Sequence, residues 1–351
     1  VNDTAAIEQL NKELSADGGR TAIISGCIDT QKVHISSAVA QNYKFMLVIT
    51  SDEAKARNMC DDAAFFNGDA LYYPAKDAIF YSADVTGNQI TGQRLKCISR
   101  LIEHIKAVDS KDGQDGGLLT LVTTIDGVSD RLVPLKRYME SVITIDSTSE
   151  IDTEKLAKKM VQMGFTRTGM VEDKGQFSIR GGIIDIFSYT DEAPVRIELW
   201  DTEVDSIRMF DAESQRSIEK LKSYHIFPAT EFLFTEEEKQ AGLDKIRKER
   251  DEQIECFDYG KRKRTQEQIE AGNNINKLVG DVERTGNYSK FLDTIIKDTA
   301  GLIEYFPVED TFPGSPYNDW IKLLLWIPVS APVKLMVPTV HKVYCLLLTY
   351  G

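Results

Sequence analysis

Two uninterrupted apolar runs, residues 21–25 (Thr-Ala-Ile-Ile-Ser) and 45–50 (Phe-Met-Leu-Val-Ile-Thr), narrow most sharply what this chain folds into. A strand with one wet face alternates apolar and polar residues, whereas a run without a polar face is covered on both sides. Residues 34–41 between the two runs read as a helix, so the segment predicts a βαβ unit and a parallel sheet. Ser51-Asp52-Glu53 reads as the cap and acidic first turn of a second helix. Residues 93–108 place Leu95, Ile98, Leu101, Ile102 and Ile105 at i, i+3, i+4 spacing, which predicts a third helix with one apolar stripe. A loop over 109–117 and a strand over 118–123 complete an α/β reading. Asp52-Glu53-Ala54-Lys55 has the letters of a helicase acidic box, but its place at a helix start accounts for it as a solvated N-terminus.

From about residue 142 the texture changes. A helix over 153–163 closes on Gly164. Short strand candidates follow at 167–171, 176–179, 183–187, 195–200 and 206–210, with turn residues at 173–175, 189–192 and 201–203. This predicts a compact, mostly antiparallel α+β module ending near Pro228. Residues 235–270 read as a long charged helix containing Lys261-Arg262-Lys263-Arg264. That quartet is either a nucleic-acid patch, an address or a solvated helix face, and the flanking Glu255, Asp258, Glu267 and Glu270 favour the last. Residues 301–306 read as a strand.

Composition excludes some function classes. The chain has 351 residues with 55 acidic against 42 basic, a net charge of −13. A protein that coats nucleic acid through its net field needs the opposite sign. The length suffices for a substantial core without disulfide staples. Cys27, Cys60, Cys97, Cys256 and Cys345 lie far apart, as do His34, His104, His225 and His341, so no metal site is expected. Dispersed thiols fit a reducing, cytoplasmic setting, and the polar start of the chain shows no export signal. Residues 313–351 have no acidic residue after Asp319 and are broken by Pro328, Pro332 and Pro338, so no run of ~20 apolar residues is available to span a bilayer. This tail is expected to be a foreign or misread junction.

Strand 21–25 runs into Gly26-Cys27-Ile28-Asp29-Thr30-Gln31-Lys32-Val33, the place where a phosphate-binding loop, G-x-x-x-x-G-K-[ST], would sit. Gly26 and Lys32 fit that pattern. Gln31 stands where the second glycine lets the backbone approach phosphate, and Val33 stands where a hydroxyl would hold Mg²⁺. No nucleotide or other cofactor is expected, and no other pattern of catalytic residues is present.

The richest stretch is 175–217, GQFSIRGGIIDIFSYTDEAPVRIELWDTEVDSIRMFDAESQRS. Period-2 alternation puts Val195, Ile197 and Leu199 on one face and Arg196, Glu198 and Trp200 on the other. Phe177 and Ile179 point one way in the preceding strand, Ser178 and Arg180 the other. Gly181-Gly182 allows a bulge or sharp bend. Arginine and tryptophan are enriched where sheets meet partners. Equally, Arg196 pairing with Glu198 or a neighbour and Trp200 lying buried would satisfy the same alternation.

These residues resemble a known family. G-x-F-S-I-R-G-G-I-I-D-I-F at 175–187, P-V-R-I-E at 194–198 and F-D-x-x-S-Q-R-S at 210–217 are similar to the bacterial transcription-repair-coupling factors (Mfd), in their N-terminal region akin to the excision-repair protein UvrB. Weaker similarity runs through Tyr73-Pro74-Ala75, Phe80-Tyr81-Ser82-Ala83 and Gln93-Arg94-Leu95 and forward to 302–306, covering roughly 15–312. The resemblance implies an α/β fold in which a degenerate, helicase-like domain with a RecA-type parallel sheet is interrupted by a small α+β insertion. On that reading, 1–141 is the first part of the helicase-like domain, with its degenerate phosphate loop. Residues 142–228 are the inserted UvrA-binding domain, 229–312 the remainder of the first domain, and 313–351 an atypical tail.

The resemblance also implies the role. The region would be a non-catalytic adaptor that recruits UvrA in transcription-coupled nucleotide excision repair. UvrA would be contacted by Arg180, Arg196 and Trp200, the last standing where the family often has Phe. ATP-driven translocation on DNA and RNA-polymerase binding would belong to family regions beyond residue 312. The alternative is a fragment of a UvrB-type, ATP-dependent helicase that binds damaged DNA. It would need an intact phosphate loop and an aromatic hairpin longer than residues 71–81 provide.

Overall fold

The computed structural model describes residues 5–14, 21–25, 27–41, 43–76, 84–109, 117–258, 270, 272–274, 276–277, 279–280, 292–296, 298–306, 322–326 and 343–349. Gly26, Phe80 to Ala83 and the quartet Lys261 to Arg264 lie outside them. Contacts divide the chain into two units, one of residues 1–130, 189–192 and 301–351, the other of residues 131–188 and 193–300. The described residues of 229–300, assigned from the family resemblance to the helicase-like part, fall in the second unit by this division.

The first unit is built on an all-parallel six-stranded sheet. Its strands are β1 (Thr21–Ser25), β2 (Phe45–Thr50), β3 (Ala70–Tyr73), β4 (Leu119–Thr124), β15 (Lys322–Trp326) and β16 (Val343–Thr349), in the order β1-β16-β15-β2-β4-β3. Every residue of β2 and β4 is buried, as the alternation-free apolar run of β2 requires. Met46 and Val48 pack on one face into a cluster with Val33, Val39, Met59 and Ala63 of the helices α2 (Asp29–Ala40) and α3 (Glu53–Asn67). Phe45 turns the other way, edge-on to His104 of the helix α4 (Asp84–Asp109), with ring centroids 4.9 Å apart. The five apolar residues predicted to form the α4 stripe are all buried. Asp52 caps α3 by accepting the Lys55 backbone N–H at 2.9 Å. The C-terminal stretch, read above as an atypical tail, supplies β15 and β16, which pair in parallel with each other and with β2 and β1.

The second unit carries a six-stranded sheet in the order β12-β11-β10-β9-β8-β7. The strands are β7 (Thr166–Arg167), β8 (Gln176–Arg180), β9 (Ile183–Phe187), β10 (Val195–Trp200), β11 (Glu203–Phe210) and β12 (Ser217–Lys220). All neighbours are antiparallel except β7 and β8. The strand expected over 167–171 is only these two residues long. Gly181-Gly182 makes a two-residue hairpin with φ +61° at Gly181, the sign a II′ turn needs at its first central position. A Cβ on Gly182 would meet the Leu199 carbonyl oxygen at 2.8 Å, so the neighbouring strand passes too close for a side chain. Phe177, Ile184, Ile186, Val195, Ile197 and Ile207 form the buried apolar side. The amphipathic helix α7 (Thr153–Gln162) buries Leu156 and Met160, and its N-terminus is capped by the Asp152 carboxylate.

Four further elements belong to this unit: strand β5 (Arg131–Leu132), helix α6 (Leu135–Ser141), and the antiparallel pair β6 (Ile143–Asp146) and β13 (Ser223–Ile226). Helix α8 (Glu236–Asp258) is tied to α6 by Arg137, whose guanidinium forms a two-pronged ion pair with Glu238 at 2.9 and 3.0 Å. The strand expected over 301–306 is instead a two-residue strand, β14 (Ala300–Gly301), followed by a single 3-10 turn, Leu302–Tyr305. Glu304 reaches back to the Gly301 N–H at 3.1 Å, and that capping contact bends the chain out of an extended path.

Candidate functional site

The two residue groups singled out from the sequence have different surroundings. At the start of α2, Lys32 is fully buried and its ammonium donates to the Asp29 carboxylate at 3.1 Å. The Gln31 carboxamide oxygen accepts the Ile28 backbone N–H at 3.2 Å, occupying a helix-start donor that a phosphate-binding loop leaves open. Val33 is part of the apolar cluster beneath the sheet. The charge, the donor and the metal-binding hydroxyl that the motif would offer are thus each spent or replaced.

The second group lies on the antiparallel sheet, where the register brings side chains of successive strands into one row. Ser178, Asp185, Arg196, Arg208 and Lys220 stand directly opposite one another across β8, β9, β10, β11 and β12. Asp185 is 1% exposed and takes charge from two sides. Arg196 binds it through Nε at 2.6 Å and Nη2 at 2.9 Å, and Arg180 through Nη2 at 2.7 Å. A carboxylate this deep is tenable only with such partners.

Arg196 is held on two more sides. Its Nη2 donates to the Gln215 carboxamide oxygen at 2.7 Å, and its guanidinium lies 4.3 Å from the centre of the Phe210 ring. The hydrogen bonds to Asp185 strengthen its protonation beyond that of an ordinary arginine. Only 12% of the Arg196 side chain is exposed, against 46% for Arg180. Glu198 is engaged elsewhere, accepting from Arg208 Nη2 at 2.6 Å and from the Ser206 hydroxyl at 2.7 Å.

Trp200 is 81% exposed at the end of β10, beside the β10–β11 turn. The alternation reading therefore resolves in a mixed way. Arg196 does pair within the sheet, with its neighbour Asp185, whereas Trp200 is not buried. Asp185 and Gln215 did not emerge from sequence reasoning. The available signal for Asp185 was a carboxylate inside the apolar run Ile183-Ile184-Asp185-Ile186-Phe187, a placement that demands a charged neighbour. Gln215 stands in the quoted F-D-x-x-S-Q-R-S motif, but nothing in the sequence tied it to Arg196.

Among the described residues no group of His, Cys, Asp and Glu has the arrangement to hold a metal ion, and no helix is long and apolar enough to cross a membrane. The comparisons with known proteins bear on the stretch that contains this sheet. Residues 143–232, containing this sheet, match the UvrB interaction domain. The chain is 31% identical over 303 residues to the transcription-repair-coupling factor of Bacillus subtilis, covering 83% of this chain and 24% of that protein. It is also 31% identical over 223 residues to the transcription-repair-coupling factor of Staphylococcus aureus strain Mu50, covering 63% of this chain and 18% of that protein. Over most of its length the chain is thus similar to the N-terminal region of transcription-repair-coupling factors, as its motifs indicated. It spans a quarter or less of the length of these relatives.

Proposed function

We propose that this chain is the UvrA-recruiting region of a transcription-repair-coupling factor, a non-catalytic adaptor working in the cytoplasm. The observation that carries the reading is the Arg180–Asp185–Arg196 constellation together with exposed Trp200 on the same sheet, inside the stretch matched by the UvrB interaction domain. Two guanidinium groups and an exposed indole on a rigid sheet suit a partner surface that offers carboxylates around an apolar recess. The first unit, with its parallel sheet, is on this reading a degenerate RecA-type helicase lobe interrupted by the docking module. Translocation on DNA and contact with RNA polymerase are assigned to other regions of the family's longer chains.

The self-satisfied start of α2 supports a role without nucleotide, since Lys32 and the Ile28 N–H already have protein partners. It weighs against the alternative, a UvrB-type ATP-dependent fragment that grips damaged DNA. Calorimetric titration of the full chain with UvrA tests the proposal. Binding by the parent, lost in Arg180→Glu/Arg196→Glu and weakened in Trp200→Ala, is the expected pattern. Trp200 is exposed, so that variant should fold normally. Undiminished binding by both variants would overturn the assignment.

A further inference from the structure

Resting on that docking reading, we propose that Asp185 and Gln215 are positioning residues. They hold Arg196 so that Nη1 is presented to an acceptor oxygen, a carboxylate or carbonyl, of the docked partner. Of the five N–H groups of the guanidinium, the Nε–H and both at Nη2 are engaged, the first by Asp185 and the latter by Asp185 and Gln215. The two on Nη1 have no acceptor among the described residues. The Phe210 ring beneath fixes the plane of the group. An arginine immobilised before binding loses little rotamer freedom when a partner arrives, which is the general advantage of a preorganised site.

Gln215 supplies an independent observation. Its backbone lies at φ +60°, a left-handed conformation uncommon for a residue with a side chain. Two hydrogen bonds keep it there. Its N–H donates to the Asp211 carbonyl at 2.8 Å, and its side-chain Nε2 donates to the Ala212 carbonyl at 2.7 Å. That conformation leaves the other end of the carboxamide, Oε1, on Arg196. Glycine would occupy the same φ at lower conformational cost but would abandon the contact. Strain retained where it serves one hydrogen bond to Arg196 is the mark of a positioning role.

The test pairs binding with stability in the full chain. Calorimetric titration with UvrA and thermal unfolding are run on the parent, Gln215→Gly, Asp185→Asn and Asp185→Asn/Gln215→Glu. The expected result for Gln215→Gly is a melting temperature equal to or above the parent's, with affinity reduced about tenfold. A purely structural residue would not separate the two in that direction. Asp185→Asn should weaken binding at least as much, and the double variant, which returns a carboxylate to Arg196 from the other side, should recover most of the loss. Parent-like affinity in Gln215→Gly, or a double variant binding no more tightly than Asp185→Asn, would overturn the proposal while leaving the docking reading in place. Failure of the parent itself to bind UvrA would remove the docking reading, and this inference with it. Should Asp185→Asn not fold, Gln215→Gly decides alone.

Discussion

Arg196 and Arg208 stand directly opposite each other on adjacent strands, and each is neutralised by a different carboxylate, Asp185 for the first and Glu198 for the second. Like charges placed face to face across a sheet repel. The sheet tolerates this pair because neither guanidinium is left without a counter-charge.

Removing one counter-charge should expose the repulsion. Glu198→Gln keeps the shape and a hydrogen-bond acceptor but leaves the Arg196–Arg208 pair under-compensated. The expected loss is about 0.5–1 kcal/mol, held to that range because both members of the Arg208–Glu198 pair are partly exposed. Urea unfolding at low and high salt checks it. The deficit should shrink in salt, and a salt-independent loss would point to packing instead.

At the start of α2, magnesium-ATP should leave the melting temperature of the parent unchanged. Val33→Thr restores the hydroxyl of the phosphate-loop pattern, yet it places that hydroxyl in an apolar cluster. The expected outcome is about 1–3 kcal/mol of destabilisation with no gain in nucleotide response. A melting temperature that rises with ATP in either protein would reinstate the helicase-fragment reading.

Acid should loosen the first unit through His104. This imidazole is buried against Phe45, and its Nε2–H donates to the Lys44 carbonyl at 2.9 Å, which fixes the neutral tautomer. Burial, the dominant cause, pushes its pKa below the ordinary 6.5. The unfolded chain therefore binds the proton more readily. The contribution is fully present above about pH 6.5 and is lost as the pH falls below it. Melting temperatures of the parent should drop between pH 7.5 and 5.5, and His104→Gln should show a smaller drop over that interval. Equal drops would remove His104 from the account.

Thiol reactivity should be ordered by burial. Desolvation pushes the Cys60 thiol up to about 11 and the Cys97 thiol up to about 12, so little thiolate exists at neutral pH. Cys97 also donates from Sγ to the Tyr72 carbonyl at 3.3 Å. Iodoacetamide on the folded chain, read by peptide mass mapping, should modify half-exposed Cys27 well before either. Early labelling of Cys97 would contradict the packing of α4 on the sheet.

Local pattern alone determined the elements whose reasons are local. The run Phe45 to Thr50 had to be a strand covered on both faces, Asp52 opened a helix, and Gly181-Gly182 allowed a bulge or sharp bend, because burial, capping and backbone sterics act over a few residues. Period-2 alternation set the arginines and the tryptophan of the candidate site on one face, and the family resemblance singled them out. What surrounds them was not legible in this way. Asp185 meets Arg196 across a strand pair, and Gln215 reaches it from a loop 19 residues further along the chain. The exposure of Trp200 and the entry of residues 322–326 and 343–349 into the parallel sheet likewise depend on which strands become neighbours. Register and strand order are properties of the assembled sheet, and only the tertiary structure decides which charge meets which.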